Sequence, residues 1–216
     1  MRDVSAITAI LGADRASLDG PPGAAPGLRR ASDPDTDVVR LAHQGAMKTA
    51  LRELMRRHGK ALHRYCREAL ADSALADDVH QQIFIEAYRD LPRFEPRASV
   101  RTWLFAIARH RVLDALKCRR REQARTSDDD LTDAPAPQPL ASATLDAVKL
   151  ARALEASVAS LPESTRTVVL LRYAQDLTFE QIAMTVGESA GTVQARVARA
   201  LPVLRRALER RIGGSR

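Results

Sequence analysis

Aromatic side chains are scarce in this 216-residue sequence, which has one Trp, three Tyr and four Phe. Runs of β-branched residues are also few, whereas Ala, Leu, Val and Arg are abundant. Because Ala, Leu and Arg lose little side-chain freedom in a helix, this composition favours helices over sheets. We therefore expect an all-α protein.

Cysteine is scarce as well, and Cys66 and Cys118 lie far apart in helix-like surroundings. Two cysteines make no disulfide framework, so we expect reduced thiols. The five histidines have no repeated ligand spacing with Cys or Asp, which argues against a metal site. Paired catalytic carboxylates and a glycine loop for phosphates are missing too. The sequence predicts no metal, no cofactor and no catalytic residue, and thus no helical enzyme or nuclease.

Long apolar runs are missing, since none approaches the roughly 20 residues that a membrane-spanning helix needs. The apolar patch at residues 6–11 is short and follows Asp3, so it does not resemble a secretory signal. We expect a cytoplasmic protein that does not insert into membranes.

The sequence divides into four segments. Residues 1–36 mix Gly, Pro, Ala and both charge signs without a period, which predicts a disordered tail. Residues 37–121 and 145–211 have helical periodicity, and the acidic, proline-rich segment 122–144 between them predicts a flexible linker. Two small helical domains are expected, with helices at about 37–43, 46–70, 75–91, 99–121, 145–159, 163–174, 178–186 and 190–211.

The net charge of +7 is concentrated in two places. Residues 93–125 contain ten Lys or Arg against three acids, and residues 188–216 contain seven Arg against two acids. The segment that joins the domains is acidic. Two basic patches on separate domains suit two contacts along one nucleic acid.

A helix-turn-helix is the strongest local pattern in the sequence. Thr178 is placed to cap a short helix, and residues 187–189 (Gly-Glu-Ser) form the turn. The next helix has an inner apolar stripe and an outer face that suits the major groove, although a basic helix on a bundle surface would look the same. The inner positions are Val193, Val197, Leu201, Leu204 and Leu208, and the outer ones are Thr192, Ala195, Arg196 and Arg199.

Three blocks of sequence resemble one family when they are taken together. Residues 76–88 (ADDVHQQIFIEAY) are similar to a sigma region 2.2 helix, and Phe94 with residues 102–109 (TWLFAIAR) is similar to regions 2.3 and 2.4. Residues 161–173 (LPESTRTVVLLRY), 177–183 (LTFEQIA) and 191–193 (GTV) are similar to region 4. The blocks stand in the family's order and at its spacing. On these motifs the chain resembles the extracytoplasmic-function (group IV) sigma factors.

The resemblance implies a transcription initiation factor that binds core RNA polymerase, through its β′ clamp helices and its β flap, and directs it to promoter DNA. No catalytic residue is implied, because the polymerase supplies the chemistry. An anti-sigma factor is a common partner in the family, although no residue here requires one. The main alternative is a helix-turn-helix regulator that binds an operator, but it leaves the first domain without a role.

Polymerase-binding positions of the family match Asp78, Gln81, Gln82 and Phe84. The predicted apolar stripe of this helix is used by the domain's own core, which leaves acid and amide groups outside it, beside Ile85. Such a face suits a protein partner, because an aspartate beside phosphates would be repelled. A solvated helix face is the alternative interpretation.

Positions that contact the −10 promoter element in the family match Phe94, Arg97, Trp103, Arg109 and His110. An aromatic ring in a loop stiffened by proline and flanked by arginines can stack on an unpaired base. Phe94 could equally fill the core under its loop, and Trp103 is interpreted first as a core residue. For the −35 element, the matching positions are Thr192, Gln194, Ala195, Arg196 and Arg199.

Four positions depart from the family's pattern. His110 stands where Asn is common, which changes the hydrogen bonds offered to a base. Gln194 and Ala195 replace a common Lys-Ser pair, so one phosphate charge is lost and an apolar contact, for example to a thymine methyl, remains. Pro202 removes a helical hydrogen bond and should kink its helix, at a cost of up to about 3 kcal/mol.

Overall fold

The computed structural model describes residues 33–125 and 145–213, and every regular element within them is helical. The all-α fold with two helical domains is therefore confirmed. The first domain (residues 33–125) contains α1 Thr36–His43, α2 Met47–Leu70, α3 Ser73–Asp90, a 3-10 turn Leu91–Arg93 and α4 Val100–Arg125. The second domain (residues 145–213) contains α5 Leu145–Ala159, α6 Glu163–Val169, a π-helical turn Leu170–Ala174, α7 Phe179–Val186 and α8 Ala190–Gly213.

Helix α2 is central to the first domain, because α1, α3 and α4 all pack against it. Its buried residues include Leu54, Leu62, Tyr65 and Leu70, whereas Met55 is exposed. The ring of Tyr65 meets that of Phe105 edge to face, at 5.8 Å between centroids. Each fully buried leucine contributes about 1.5–3 kcal/mol, so this face of α2 accounts for a large part of the domain's stability.

Capping side chains set the ends of α3 and α4. Asp72 accepts a hydrogen bond from the backbone of Leu75 (3.0 Å), after a left-handed residue has ended α2. Ser99 accepts from the backbone of Thr102 (3.1 Å), as predicted for the start of α4. Such caps are each worth about 1 kcal/mol, and they fix where α3 and α4 begin.

Helix α4 extends to Arg125, four residues beyond the end that we expected. Near this end of α4, the guanidinium of Arg119 donates to the carbonyl of Leu70 (3.1 Å), at the C-terminal end of α2. A cation is favourable there because a helix presents unpaired carbonyl groups at that end. The remainder of the predicted linker, residues 126–144, lies outside the described residues, as do residues 1–32 of the predicted tail.

The last residues of the predicted tail are part of the first domain. Asp35 is buried, with 1% of its surface exposed. Its carboxylate lies 2.7 Å from the imidazole of His58 and accepts from Arg57 at 3.1 Å. Arg57 also donates to Asp37 (2.5 Å), and this bond lowers the pKa of Asp37 to about 2. Burial alone would raise the pKa of Asp35, but the bonds from His58 and Arg57 outweigh it and lower that pKa.

The second domain is organised around α8, which contacts α5, α6 and α7. Val193, Val197, Leu204 and Leu208 of the predicted stripe are buried along its inner face, whereas Leu201 is only partly buried. The helix continues through Pro202. Its proline lies on the exposed side, where the carbonyl that loses its partner is open to water, so the helix tolerates it.

Replacing Asp35 by Asn should destabilise the first domain by about 1–3 kcal/mol, because Arg57 and His58 would lose a buried carboxylate partner. The folded-state pKa of Asp35 is lowered, so its contribution is present above the ordinary value of 3.8 and is lost as the pH falls through the lower folded value. Urea unfolding at several pH values measures this difference. It should vanish in strong acid; a difference that is the same at every pH would contradict the assignment.

Candidate nucleic-acid interface

A cleft of about 390 Å³ opens beside the loop that follows α3. Phe94 and Trp103 both line it, with ring centroids 5.2 Å apart and planes tilted by 57°. The loop begins with the 3-10 turn, which is closed by a hydrogen bond from the Phe94 backbone to the carbonyl of Leu91 (3.1 Å). Phe94 is only 8% exposed, so most of its ring fills the space under the loop. The cleft is nevertheless bounded by two flat apolar rings, which is the kind of surface on which a base stacks.

Cationic side chains stand at the same cleft. Arg93 and Arg97 both line it, and Arg97 is paired with Glu95 at 2.8 Å while 87% of its side chain is exposed. An exposed ion pair is worth at most about 1 kcal/mol, so a phosphate can displace Glu95 from Arg97. The structure thus brings Phe94, Arg97 and Trp103 together.

Two predicted contacts of the same group, Arg109 and His110, lie farther along α4. At 1.5 Å of rise per residue, His110 is roughly 10 Å along the axis from Trp103. His110 is exposed, and its Nδ1 lies 3.4 Å from the carboxylate of Asp114. Arg109 is partly buried. These two residues extend the basic surface of α4 and do not line the cleft.

The outward face of α3 carries Asp78, Gln81 and Gln82, all of which are exposed. Ile85 on the same face is 60% exposed. Tyr88, one turn farther on, is exposed as well. We did not predict it as a site residue, although an aromatic residue three positions after an outward-facing Ile shares its helix face. The face therefore combines apolar side chains with acid and amide groups.

Phe84 does not belong to this face, contrary to our assignment of a polymerase contact. Its ring is buried, stacks edge to face on His80 (5.1 Å) and lies over Gly59 of α2. The imidazole of His80 in turn lies 3.1 Å from the Gly59 carbonyl. Phe84 belongs to the core because, on the 3.6-residue period of the helix, it faces inward beside Ile83.

The helix-turn-helix has the predicted geometry. Thr178 caps α7 in a capping box with Gln181, with hydrogen bonds of 3.2 and 2.9 Å. Gly187 ends α7 at a φ of 74°, a conformation that glycine adopts without strain. Ser189 then accepts from the backbone of Thr192 (3.1 Å) and starts α8. These caps fix the angle between the two helices.

Four of the five predicted residues on the outer side of α8 are exposed, namely Thr192, Gln194, Ala195 and Arg199. Arg196 differs, because its guanidinium is paired with Glu188 of the turn at 2.7 Å and only 23% of its side chain is exposed. In this structure Arg196 braces the turn against the helix. Glu188 is eight residues away, outside the i, i+4 spacing on which we grouped the outer face.

None of the helices in residues 33–125 and 145–213 is long and apolar enough to cross a membrane. Over the same described residues, no group of three or more His, Cys, Asp or Glu is placed to hold a metal ion.

Comparison with known proteins assigns both domains. Residues 54–122 match Sigma-70 region 2 and residues 151–201 match Sigma-70 region 4, which together cover more than half of the chain. The chain is 30% identical to the RNA polymerase sigma factor NccH of Alcaligenes xylosoxydans xylosoxydans, over 78% of this chain and 92% of that protein. It is 36% identical to the ECF RNA polymerase sigma factor SigC of Mycobacterium tuberculosis, over 62% and 71%. The chain belongs to the extracytoplasmic-function sigma factors.

As a sigma factor, the chain is a transcription initiation factor that directs RNA polymerase to promoters, and it is not an enzyme. Two solved structures share its fold. One is the sigma factor RpoE in complex with the anti-sigma factor NepR from Bartonella quintana, with a TM-score of 0.61 and 23% identity over 76% of this chain and 98% of that one. The other is CnrH in complex with the cytosolic domain of CnrY, with a TM-score of 0.60 and 24% identity over 81% and 97%.

The roles of Arg196 and Arg199 of α8 can be distinguished by experiment. Arg199→Ala is expected to weaken binding of the sigma–polymerase complex to a promoter duplex and to reduce the salt slope by about one, without affecting unfolding. Arg196→Ala should in addition lower the free energy of unfolding by about 0.5–1 kcal/mol, because Glu188 loses its partner. Anisotropy titrations at several salt concentrations and urea unfolding measure the two effects, with Arg210→Ala as the control. If Arg196→Ala leaves unfolding unchanged, the bracing role is wrong.

Proposed function

We propose that three surfaces of this sigma factor divide promoter recognition among them. The outward face of α3 binds core polymerase, the cleft at Phe94 and Trp103 takes an unpaired base of the −10 element, and the outer face of α8 reads the −35 element as duplex. The observation that carries this proposal is the cleft itself, where two aromatic rings meet two arginines. This sequence has only eight aromatic residues, and two of them line this cleft.

The α3 face suits a protein partner for energetic reasons. Ile85 and Tyr88 are three residues apart on one face, and exposed apolar side chains surrounded by polar ones are typical of protein–protein interfaces. Asp78, Gln81 and Gln82 can supply hydrogen bonds at its edge. A duplex would be repelled by Asp78, whereas a clamp surface with arginines would not.

The double change Asp78→Ala with Gln81→Ala should weaken binding to core polymerase about tenfold or more, since it removes polar contacts at the edge of the apolar pair. Helicity and the thermal midpoint should hardly change, because both side chains are exposed. Surface-immobilised core polymerase gives the affinity, and Glu209→Ala, an exposed acid on α8, is the control. Unaltered affinity for core would remove this face from the interface.

Two roles of Phe94 can be separated by changing its shape and keeping its hydrophobicity. Phe94→Leu retains an apolar group under the loop but removes the flat ring. If the ring stacks on a base, opening of the −10 element should slow by roughly tenfold, since such stacking is worth about 1–3 kcal/mol. A fluorescent base analogue in the −10 element reports the opening rate, and Leu91→Ile in the same loop is the control for packing. Opening at the normal rate in Phe94→Leu would mean that Phe94 serves only the core.

The −35 proposal is supported by the exposed positions on α8. Thr192 and Gln194 offer hydrogen bonds near the N-terminus of the helix, where residues of a recognition helix contact base edges. Ala195 leaves room for a thymine methyl, and Arg199 lies one turn farther on, within reach of a phosphate or a guanine. Arg196 is released for DNA only at the expense of its pair with Glu188.

Transcription with purified components tests the function as a whole. The chain should co-elute with core polymerase in the absence of DNA, and the complex should give run-off transcripts from discrete start sites on genomic fragments. A regulator that binds an operator should do neither. Because the polymerase works in the cytoplasm, we place the action of this chain there.

We also propose that an anti-sigma protein regulates the chain. The support is the likeness in fold to the sigma factor RpoE, which was solved with the anti-sigma factor NepR, and to CnrH, which was solved with the cytosolic domain of CnrY. A partner of this kind would compete with core polymerase, so added anti-sigma protein should displace the chain from the polymerase in the co-elution experiment.

A further inference from the structure

The loop that begins with Phe94 (residues 94–99) is held at both ends by the start of the first domain. Where the loop begins, α1 packs against the 3-10 turn Leu91–Arg93. Where it ends, the carboxylate of Asp33 accepts a hydrogen bond at 2.8 Å from the backbone of Val100, the first residue of α4. The two partners of this bond are 67 residues apart. The shape of the loop therefore depends on a segment that lies far from it in the chain.

The bond from Val100 to Asp33 completes the cap of α4. The first four N–H groups of a helix have no partner within the helix. Ser99 accepts from that of Thr102 (3.1 Å), and Asp33 accepts from that of Val100. A carboxylate is favourable at this end of a helix, where the partial charge is positive. Two side chains from distant parts of the chain thus fix the first turn of α4, and Trp103 follows directly after Thr102.

Neighbouring residues fix the orientation of Asp33 in turn. Its second carboxylate oxygen accepts from the backbone of Asp35 at 3.1 Å. Its carbonyl accepts from the hydroxyl of Thr36 at 2.6 Å and from the backbone of the same residue at 3.0 Å. Because both carboxylate oxygens are engaged, the side chain presents one defined acceptor to α4.

Arg57 of α2 braces the same segment (residues 33–37). Its guanidinium donates to the carbonyl of Pro34 at 2.9 Å and to the carboxylate of Asp35 at 3.1 Å. It also donates to Asp37 at 2.8 Å. Only 23% of the Arg57 side chain is exposed, so these bonds are screened less than those of a surface pair. The segment is therefore fastened to α2 on one side and to α4 on the other.

This segment lies ahead of the stretch that matches Sigma-70 region 2, which begins at residue 54. We expected residues 1–36 to be a tail without a period, yet residues 33–36 contribute to a helix cap. A role in function follows from where that cap lies. Phe94 begins the loop and Trp103 stands just after it, and their ring centroids are 5.2 Å apart.

We propose that Asp33 is a positioning residue for the −10 cleft: with Arg57 as its brace, it fixes the loop so that the rings of Phe94 and Trp103 are arranged to take a base. Without the bond to Asp33, the loop adopts other shapes as well, and only the fraction of molecules with the described shape accepts a base. The positioning role rests on the proposed function of the cleft, whereas the anchoring of the loop by Asp33 does not.

Asp33→Ala is the most direct change, because it removes the acceptor for the Val100 backbone. Asp72→Ala is its matched control. It removes a side-chain cap of the same kind, which accepts from the Leu75 backbone at 3.0 Å, but at the start of α3, the end of that helix away from the loop. Asp33→Asn is the conservative variant, since asparagine caps helices about as well as aspartate does.

Arg57→Ala acts on the same segment from the side of α2. Its control is Arg56→Ala, the same residue type at the adjacent position, which is exposed and pairs with Glu53 at 2.7 Å. Urea unfolding of all five variants gives their losses of stability and a temperature at which each is folded. The remaining measurements are made at that temperature.

Two signals separate the shape of the loop from its use. Trp103 is the single tryptophan and lies against Phe94, so its emission reports how the loop is packed. A fluorescent base analogue in the −10 element of a promoter duplex reports the rate of opening. Core polymerase is kept in excess, so that a change in its affinity for the chain does not alter the rate.

Relative to Asp72→Ala, we expect Asp33→Ala to shift Trp103 emission to longer wavelength and to slow opening about fivefold, the factor that corresponds to the loss of one helix cap. Asp33→Asn should recover most of both signals. Arg57→Ala should show the same changes relative to Arg56→Ala. Equal opening rates in Asp33→Ala and Asp72→Ala, at a similar loss of stability, would mean that Asp33 serves stability alone.

Unchanged Trp103 emission in both Asp33→Ala and Arg57→Ala would overturn the anchoring of the loop. Shifted emission with a normal opening rate would overturn the positioning role if Phe94→Leu slows opening in the same assay. Shifted emission with a normal opening rate in Phe94→Leu as well would support the anchoring and contradict the proposed −10 function instead.

Discussion

Burial of one face of α2 is the interaction on which the other features of the first domain depend. Tyr65 and its neighbours on that face pack against α3 and α4, and the contact of His80 with the Gly59 carbonyl fixes how α3 is rotated. That rotation puts Phe84 inside and leaves Ile85 and Tyr88 outside. A change in the packing of α2 would therefore alter the face that we propose for polymerase binding without touching any residue on it.

The same helix connects the domain to its surroundings at both ends. Near its start, Arg57 and His58 hold Asp35, and near its C-terminus the carbonyl groups of Ala69 and Leu70 accept arginines from two different helices. Between them, Arg64 reaches the second domain. A single helix thus sets the position of the chain that enters the domain, of the basic end of α4 and of the helix-turn-helix domain.

The features that could be predicted from the sequence depend on residues that lie close together in the chain. Helix periods placed α2, α3 and α8 within a few residues of their observed bounds. Thr178 and the turn at Gly187 were identified because capping needs particular residues at fixed spacing. Exposure of Asp78, Gln81 and Arg199 followed from the same periodicity. These features require no knowledge of what packs against each helix.

Features that depend on contacts between distant residues were missed. Asp35 looked like part of a polar tail, since its partners are more than 20 residues away. Phe84 borders the buried stripe, and only its contact with His80 decides which way it faces. The pair of Arg196 with Glu188 was missed, because the two residues are eight apart in the chain. The packing of the two domains has no sequence period, because several of its bonds join arginines to backbone carbonyl groups, which every residue carries.

The central claim is that both domains contact one promoter at two places when the chain is bound to polymerase. Hydroxyl-radical footprinting of a mapped promoter tests it most directly, with core polymerase, with the chain alone, and with both. The account predicts two separate protected segments that appear only with both, with unpaired thymines that react with permanganate in the segment nearer the start site. A single protected segment, or the same footprint from the chain without core polymerase, would contradict it.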